Sequence, residues 1–371
     1  MNSGKLRIHW LVWQPTPYND SLFRALAGDS SLDLLVHYRA PVVASHPWQS
    51  AVATGYPARF YRVVLGLDWK LIGLILRERG SLFVVGGWDH PTGQVLLVLA
   101  RLLGRRYCVW SDTPDARGRR GGLLARFRSV WLRWIMRGAH RCMGTGLPAV
   151  QVLKQMGAPA EKVVNFPYWI DIDEYARERQ ASVRPRDLPM CFVSSGRILN
   201  RVKGHDIAVR ALAQAATETG TPFRYVIAGA GPDEDSLRQL IDSLGLRDKV
   251  TLAGWLEPEP LRQLYRSSDV LIHPSPVHEP YGVVVIEAMA AELAVLASDQ
   301  TGAALDRISQ GNGLLHPAGN VEVLSSQIRS LLRNPESARS MGKAARATAE
   351  LWPLERAVAL IRQIAGPCVA R

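Results

Sequence analysis

Cysteine is scarce. The 371 residues hold four, Cys108, Cys142, Cys191 and Cys368, far apart and with no CxxC pair. This excludes a zinc framework or a disulfide scaffold and fits reduced thiols in a cytosolic protein. Long apolar runs are missing too. No stretch approaches the roughly eighteen residues that a spanning helix needs. The opening MNSGKLRIHWLVW is too short and too interrupted to read as a signal peptide, so a chain not integral to a membrane is expected. Short repeats and low-complexity segments do not stand out. Acids vanish from one region: residues 116–160 contain no Asp or Glu.

What is present is enough for two ordinary domains of about 180 residues each. The chain is 47% apolar and 21% charged, a composition that buries cores and excludes intrinsic disorder. Its net charge of +12 is lopsided. Residues 1–190 carry 26 Lys and Arg against 14 Asp and Glu, whereas residues 191–371 carry 19 of each. An acidic partner for the first half is implied: a membrane surface, a phosphorylated substrate or nucleic acid. No aromatic-basic RNA motif and no DNA-reading helix is legible, which argues against nucleic acid.

Short β-rich runs alternate with helical ones. The first half gives strands at 7–13, 32–38, 81–87, 107–112 and 162–166. The second gives 191–197, 223–229, 250–254, 270–275 and 294–298, with helices such as 93–104 and 204–216 between. The runs are nearly continuous rather than alternating, as in strands covered on both faces. Repeated βα units give a parallel doubly wound sheet, here twice over. The polar, Pro-containing stretch 176–190 reads as the join. Ligands bind beyond the carboxyl ends of such strands, and two domains face to face would place the site in a central cleft.

The strand ends of the second half carry suggestive groups. The first ends in SSGRI, with Gly196 and Arg197; six residues beyond Arg197 comes Lys203 at a helix start. Two cations and a helix N-terminus make an anion site. The next strand ends in GAGP, where Gly229 and Gly231 permit close backbone approach, although an ordinary βα turn also reads this way. The fourth leads into SPVHEPYGVVVIEAMA, with Glu279 and Glu287 separated by seven mostly apolar residues. Glu279 can simply favour a helix N-terminus. Glu287, within an apolar helix, needs a partner or a polar ligand, because an unpaired buried acid is costly.

Across GRILNRVKGHDIAVRALA (196–213), YVIAGAGPDEDSLRQLI (225–241), LGLRDKVTLAGWL (244–256), SSDVLIHPSPVHEPYGVVVIEAMA (267–290) and GNGLLHPAGN (311–320), the chain resembles the retaining glycosyltransferases of family four. The resemblance covers about 150 residues. It implies an α/β GT-B fold of two Rossmann-like domains facing a central cleft. An acceptor-binding domain would span 1–175, a linker 176–190 and a nucleotide-sugar-binding domain 191–350, with a C-terminal helix in 351–371 packing back on the first domain. It implies that Glu287 accepts hydrogen bonds from ribose hydroxyls and that Glu279 contacts the donor sugar. Backbone around Tyr281, Gly282 and Val283 would face sugar and diphosphate, and Arg197 and Lys203 would neutralise the leaving diphosphate. The base would lie against Trp255 and Leu256, near Gly229 to Gly231, with Gly196 in the same donor site. The chain departs from the family pattern at Glu292 and Ala294, where Gly and Pro are usual, and at Thr301-Gly302, where two glycines are frequent.

The first half resembles the family less closely. Tyr18, in WQPTPYND, matches an acceptor-side loop. VVGGWDHPTG places Trp88 and His90 at a strand end, on the acceptor side. Asp112 stands where many relatives have a His that touches the donor sugar, and is the expected sugar or acceptor contact, or the base for the acceptor hydroxyl. For each of these a satisfied loop residue is the plain alternative. IDIDEY contains the D-x-D pair Asp171 and Asp173, but it matches the family's entry to the linker, so no metal site and no cofactor are expected.

The resulting expectation is a retaining, metal-independent hexosyltransferase. It would move sugar from a nucleoside diphosphate sugar to a glycan or lipid-linked acceptor of cell-surface polysaccharide. A sugar-nucleotide epimerase of the same fold, or transfer to a soluble small acceptor, are the alternatives. Residues 117–141 carry eight Arg, and Leu123, Leu124, Phe127, Val130, Trp131, Trp134 and Ile135 recur there at helical spacing. Such a helix either packs its stripe on the sheet or lies on anionic lipid. The second reading implies a peripheral enzyme on the cytoplasmic face of the membrane.

Overall fold

The computed structural model describes residues 5–39, 55–61, 63–112, 122–176, 188–309 and 311–366, without the side chains of Leu123 and Leu124. Most of the stretch read as a linker, 177–187, therefore lies outside the described residues, as do Arg117, Arg119, Arg120 and Cys368. The chain divides into two units. The first is Met1–Ile170 together with Pro353–Arg371; the second is Asp171–Trp352.

The first unit is built on a seven-stranded sheet: β1 (Leu6–Val12), β2 (Leu32–Tyr38), β3 (Ala58–Phe60), β4 (Leu82–Gly86), β5 (Arg106–Ser111), β6 (Arg141–Gly144) and β7 (Val163–Asn165). All pairs are parallel, in the order β3-β2-β1-β4-β5-β6-β7. The central strands are apolar on both sides because helices cover both faces; Ile8, Trp10, Val84, Cys108 and Val109 are fully buried. The helix Leu354–Ala365 belongs to this unit. Arg362 pairs with Asp29, His140 Nε2 lies 2.6 Å from the Ile364 carbonyl, and Arg106 donates to the carbonyls of Ala365 and Gly366.

The second unit holds a six-stranded parallel sheet: β8 (Met190–Ser195), β9 (Phe223–Ala228), β10 (Val250–Gly254), β11 (Val270–His273), β12 (Ala294–Ser298) and β13 (Leu314–His316). Their order is β10-β9-β8-β11-β12-β13. Three strands escape a reading of the sequence: β3, β6 and β13. Each has only three or four residues, too few to show a hydrophobic pattern.

One local departure has a backbone cause. The helix Val283–Ala290 ends with Leu293 N–H donating to the Ala288 carbonyl and Glu292 N–H to Met289. Glu292 sits at φ +65°, the left-handed position that such an ending reserves for glycine. A side chain there is strained by roughly 1 kcal/mol. Glu292→Gly is therefore expected to stabilise the fold by about 1 kcal/mol, read as a rise in the urea or thermal midpoint; a fall would show that the Glu292 side chain makes a compensating contact.

Candidate functional site

In the second unit the strand order reverses between β8 and β11, so the loops leaving these two neighbours open side by side. The β8 loop carries Gly196, Arg197 and Lys203; the β11 loop carries Glu279. They meet: Lys203 Nζ lies 2.6 Å from Glu279 Oε2, with both side chains mostly buried. The cause is local. Lys203 ends a single helical turn, Asn200–Lys203, which stops at Gly204 with φ +68°. A Cβ on Gly204 would come 2.4 Å from the Pro274 carbonyl oxygen. Only glycine lets the turn press on the β11 loop and deliver the ammonium. Arg197 is exposed in the same loop.

The pair sets its own protonation. Burial would raise Glu279, but the Lys203 ammonium outweighs it and holds the carboxyl below the ordinary range. Ser275 adds a long hydrogen bond of 3.5 Å. His273, at the end of β11, is buried and pushed down to about 3, so its ring is neutral at neutral pH.

Glu287 finds two partners. Its Oε1 accepts from Tyr175 at 3.1 Å and its Oε2 from Tyr265 at 3.2 Å. Tyr265 also bonds Ser195, the last residue of β8, so the second acid is anchored to the strand that bears the first cation's loop. Burial still dominates and raises the carboxyl above its ordinary value.

The loop between the two acids is clamped from behind by Thr301-Gly302. Glu279 N–H donates to the Gln300 carbonyl, Gly302 N–H to that of Glu279, and Ala303 N–H to that of Tyr281. A Cβ on Gly302 would strike the Pro280 carbonyl at 2.4 Å, and one on Gly282, at φ +84°, would strike Thr301 at 2.7 Å. Tyr281 is buried, and Val283 opens the helix with no capping side chain ahead of it.

The GAGP glycines have a nearer neighbour than any ligand. A Cβ on Gly229 would lie 1.9 Å from the Gly196 carbonyl, and one on Gly231 2.2 Å from that of Ile198. They admit the β8 loop, whose Gly196 and Ile198 N–H groups donate to the Ala228 and Ala230 carbonyls. Trp255 is 42% exposed beyond β10, followed by half-buried Leu256.

Trp88 is a core residue. His90 caps the helix Pro91–Leu102, its Nδ1 accepting from Gly93 N–H at 2.9 Å; burial pushes the ring down to about 4. Tyr18 packs edge-on against Tyr168. Asp112 is exposed after β5 and accepts from the Thr145 hydroxyl. In the D-x-D stretch, Asp171 accepts from Asp173 N–H, and Arg346 lies 3.4 Å from Asp173. Among the described residues no group of three His, Cys, Asp or Glu could hold a metal ion. Tyr175, Tyr265 and Ser195 went unweighed in the sequence. The one available signal was the buried acid itself, which demanded a donor somewhere.

The family described as Glycosyl transferases group 1 matches residues 176–348. An uncharacterized glycosyltransferase of Methanocaldococcus jannaschii is 34% identical over 139 residues, 37% of this chain and 35% of that protein. The alpha-D-kanosaminyltransferase of Streptomyces kanamyceticus is 30% identical over 235 residues, 60% of this chain and 59% of that protein. The matched stretch thus spans about half or less of the first few relatives' length. Among solved structures, Alr3699/HepE of Anabaena in complex with UDP shares the fold, with a TM-score of 0.76 at 18% identity over 96% of this chain and 99% of that one.

A raised carboxyl has a stability signature. The folded protein favours protonated Glu287, so ionisation costs stability as pH rises past the ordinary carboxylate range. Glu287→Gln is expected to melt higher than wild type at pH 7, by about 1 kcal/mol or roughly 2–4 °C, with the gap closing by pH 4. A variant that melts lower at pH 7 would show that the two phenol hydrogen bonds outweigh burial.

Proposed function

We propose that the protein, whose residues 176–348 match the group 1 glycosyl transferase family, transfers a hexosyl group from a nucleoside diphosphate sugar to a hydroxyl of a glycan acceptor, with retention of configuration. The observation that carries this reading is the Lys203–Glu279 pair at the β8/β11 switch point, just ahead of the helix Val283–Ala290 that bears Glu287. A departing nucleoside diphosphate gains negative charge. Lys203, with Arg197 in the same loop, neutralises it, and such preorganised charge acts without reorganisation at the moment of reaction. Glu279, held ionised, accepts from hydroxyls of the transferred sugar; Glu287 receives the ribose hydroxyls. With the leaving charge met by side chains, no metal ion or cofactor is assigned a role. The Anabaena protein was solved with UDP and with UDP-glucose, which supports this class of donor. Lys203→Ala and Arg197→Ala are each expected to lower kcat/KM by about 2–4 kcal/mol, and EDTA to leave turnover unchanged. A panel of nucleotide sugars, read by product formation, is the assay. Turnover within threefold of wild type in both variants removes the cations from the mechanism; product formed from the donor alone points to epimerisation.

A second observation supports a lipid surface as the place of work. The helix Leu123–Gly138 divides its apolar residues between two faces. Leu132, Ile135 and Met136 are buried, so Ile135 leaves the outward stripe. Phe127, Val130 and Trp134 stay 79%, 67% and 36% exposed, spaced by three and four residues, with Arg126, Arg128, Arg133 and Arg137 also exposed. Arg101 reaches over the Trp134 ring at 5.6 Å. Apolar side chains facing solvent among arginines suit the interface of an anionic bilayer, and a lipid-linked acceptor would be met there, on the cytoplasmic face. No helix among the described residues is long and apolar enough to cross a membrane. Sedimentation with anionic liposomes is expected to carry the protein down and to weaken with salt. Arg126→Glu with Arg128→Glu should weaken binding by at least about 2 kcal/mol, at about 1 kcal/mol per basic residue. Equal binding to neutral vesicles, or none to anionic ones, would leave a soluble acceptor.

A further inference from the structure

The hydroxyl of Tyr175 donates to Glu287 Oε1 at 3.1 Å. Tyr175 ends a single helical turn, Asp173–Tyr175, and this turn is clamped by the helix Pro258–Arg266. Arg262 Nη1 lies 2.9 Å from the Glu174 carboxylate, and Arg266 donates to the Glu174 carbonyl. The Arg262 guanidinium carbon stands 5.9 Å from the centroid of the Tyr175 ring. Two arginines thus hold the residue just ahead of the phenol, and with it the direction in which the phenol points.

The other carboxylate oxygen is served by a relay. Tyr265 is fully buried; it donates to Glu287 Oε2 at 3.2 Å, so in its bond with Ser195 the serine hydroxyl is the donor. Burial holds both phenols well above their ordinary range, and each stays a donor at neutral pH. One donor on each oxygen, from two different elements, sets the plane of the carboxylate. A carboxylate accepts about four hydrogen bonds. With one place filled on each oxygen, about one on each is left, and Glu287 is half-buried rather than enclosed. Two adjacent hydroxyls of one ring match that pattern, one to each oxygen.

We propose that Tyr175 is a positioning residue for the donor: its hydroxyl sets the Glu287 carboxylate so that the remaining lone pairs meet the two ribose hydroxyls. This rests on the nucleotide-sugar reading of the site and adds a residue that acts through Glu287. The same hydrogen bond favours the ionised carboxylate, whereas burial favours the protonated one. Removing the phenol oxygen therefore moves protonation of Glu287 to higher pH. Affinity for ribose is present above that pH and lost below it. The neighbouring elements supply no rival for this signature. Arg262 carries its charge throughout; in the turn, Glu174 pairs with Arg262 and Asp173 faces Arg346 at 3.4 Å. Arg346, on the helix Pro335–Glu350, also donates to the Ala290 carbonyl. Asp306 and Arg307, on the helix Gly302–Arg307, lie 2.9 Å apart. His273, at about 3, and His205 and His316, at about 4, have mostly lost their protons by pH 5.

The test measures binding by calorimetry on the full chain, from pH 5 to pH 8. The probe is the first of UDP-glucose, GDP-glucose and ADP-glucose to saturate wild type; their diphosphates stay ionised across this range. Wild type is compared with Tyr175→Phe, and the same change is then made in Glu287→Gln. Phe keeps the buried ring, and circular dichroism checks the fold. Tyr175→Phe is expected to weaken binding about five- to tenfold at pH 7 and to move the acid loss of affinity to higher pH. In the Glu287→Gln background it is expected to change affinity by less than about twofold at every pH, since the group it acts through is gone. His278, next to Glu279, is common to all four proteins and cancels in the comparison. Identical curves for wild type and Tyr175→Phe overturn the proposal and leave the donor reading standing. An equal loss with and without Glu287 shows a merely structural role and also overturns it. If none of the three nucleotide sugars binds wild type, the donor reading falls, and the proposal with it.

Discussion

The contact between Lys203 and Glu279 depends on a feature of the sheet, the adjacency of β8 and β11. Residues 76 positions apart in the chain are brought to one spot because the two strands are neighbours while their connections run to opposite sides. Glycines then remove the last obstacles. Gly204 lets the Lys203 turn touch Pro274, and Gly302 lets the β12 loop press on Pro280. Each substitution would put a Cβ into a carbonyl oxygen, an atom that cannot swing aside. The backbone is closely packed here, and Lys203 and Glu279 are paired within it.

The two acids occupy opposite electrostatic situations at the same strand ends. Glu279 has a cation against it and is depressed; Glu287 is raised by burial, which outweighs its two phenol hydrogen bonds and the attraction of Arg262. One is committed to charge; the other keeps a charge that its surroundings resist. A carboxylate of the second kind lowers folding stability when it is ionised.

Much of the fold was legible. The central strands are continuous apolar runs, and burial on both faces makes such runs unmistakable. Some of the shortest strands were not, since Ala58–Phe60 and Leu314–His316 are defined by pairing rather than by pattern. Glu279 and Glu287 were legible as a pair, and Lys203 as a cation near them. Tyr175 was not: it lies 112 residues from Glu287, and nothing in its own segment marks it as the partner of a distant acid. The basic helix was visible as a helix, but its direction was not. Ile135 and Phe127 share one periodic stripe in sequence, and only packing shows that the first faces in and the second out. In the first unit, Trp88 and His90 stand at a strand end, yet a residue there can turn inward, and both are buried. Trp13 and Arg39, immediately past neighbouring strands, turn toward each other instead.

The helix Leu354–Ala365 belongs to the unit that begins the chain, and this reverses the order in which the protein can be completed as it is made. A ribosome delivers the N-terminal residues first, and domains ordinarily fold in that order. Here the second unit, closed by Trp352, has all its strands before the first unit receives its last helix. Until then Asp29 lacks Arg362, and His140 and Arg106 lack the carbonyls of residues 364 to 366. The more basic part of the nascent chain therefore waits, unfinished, for the more nearly neutral one to be synthesised.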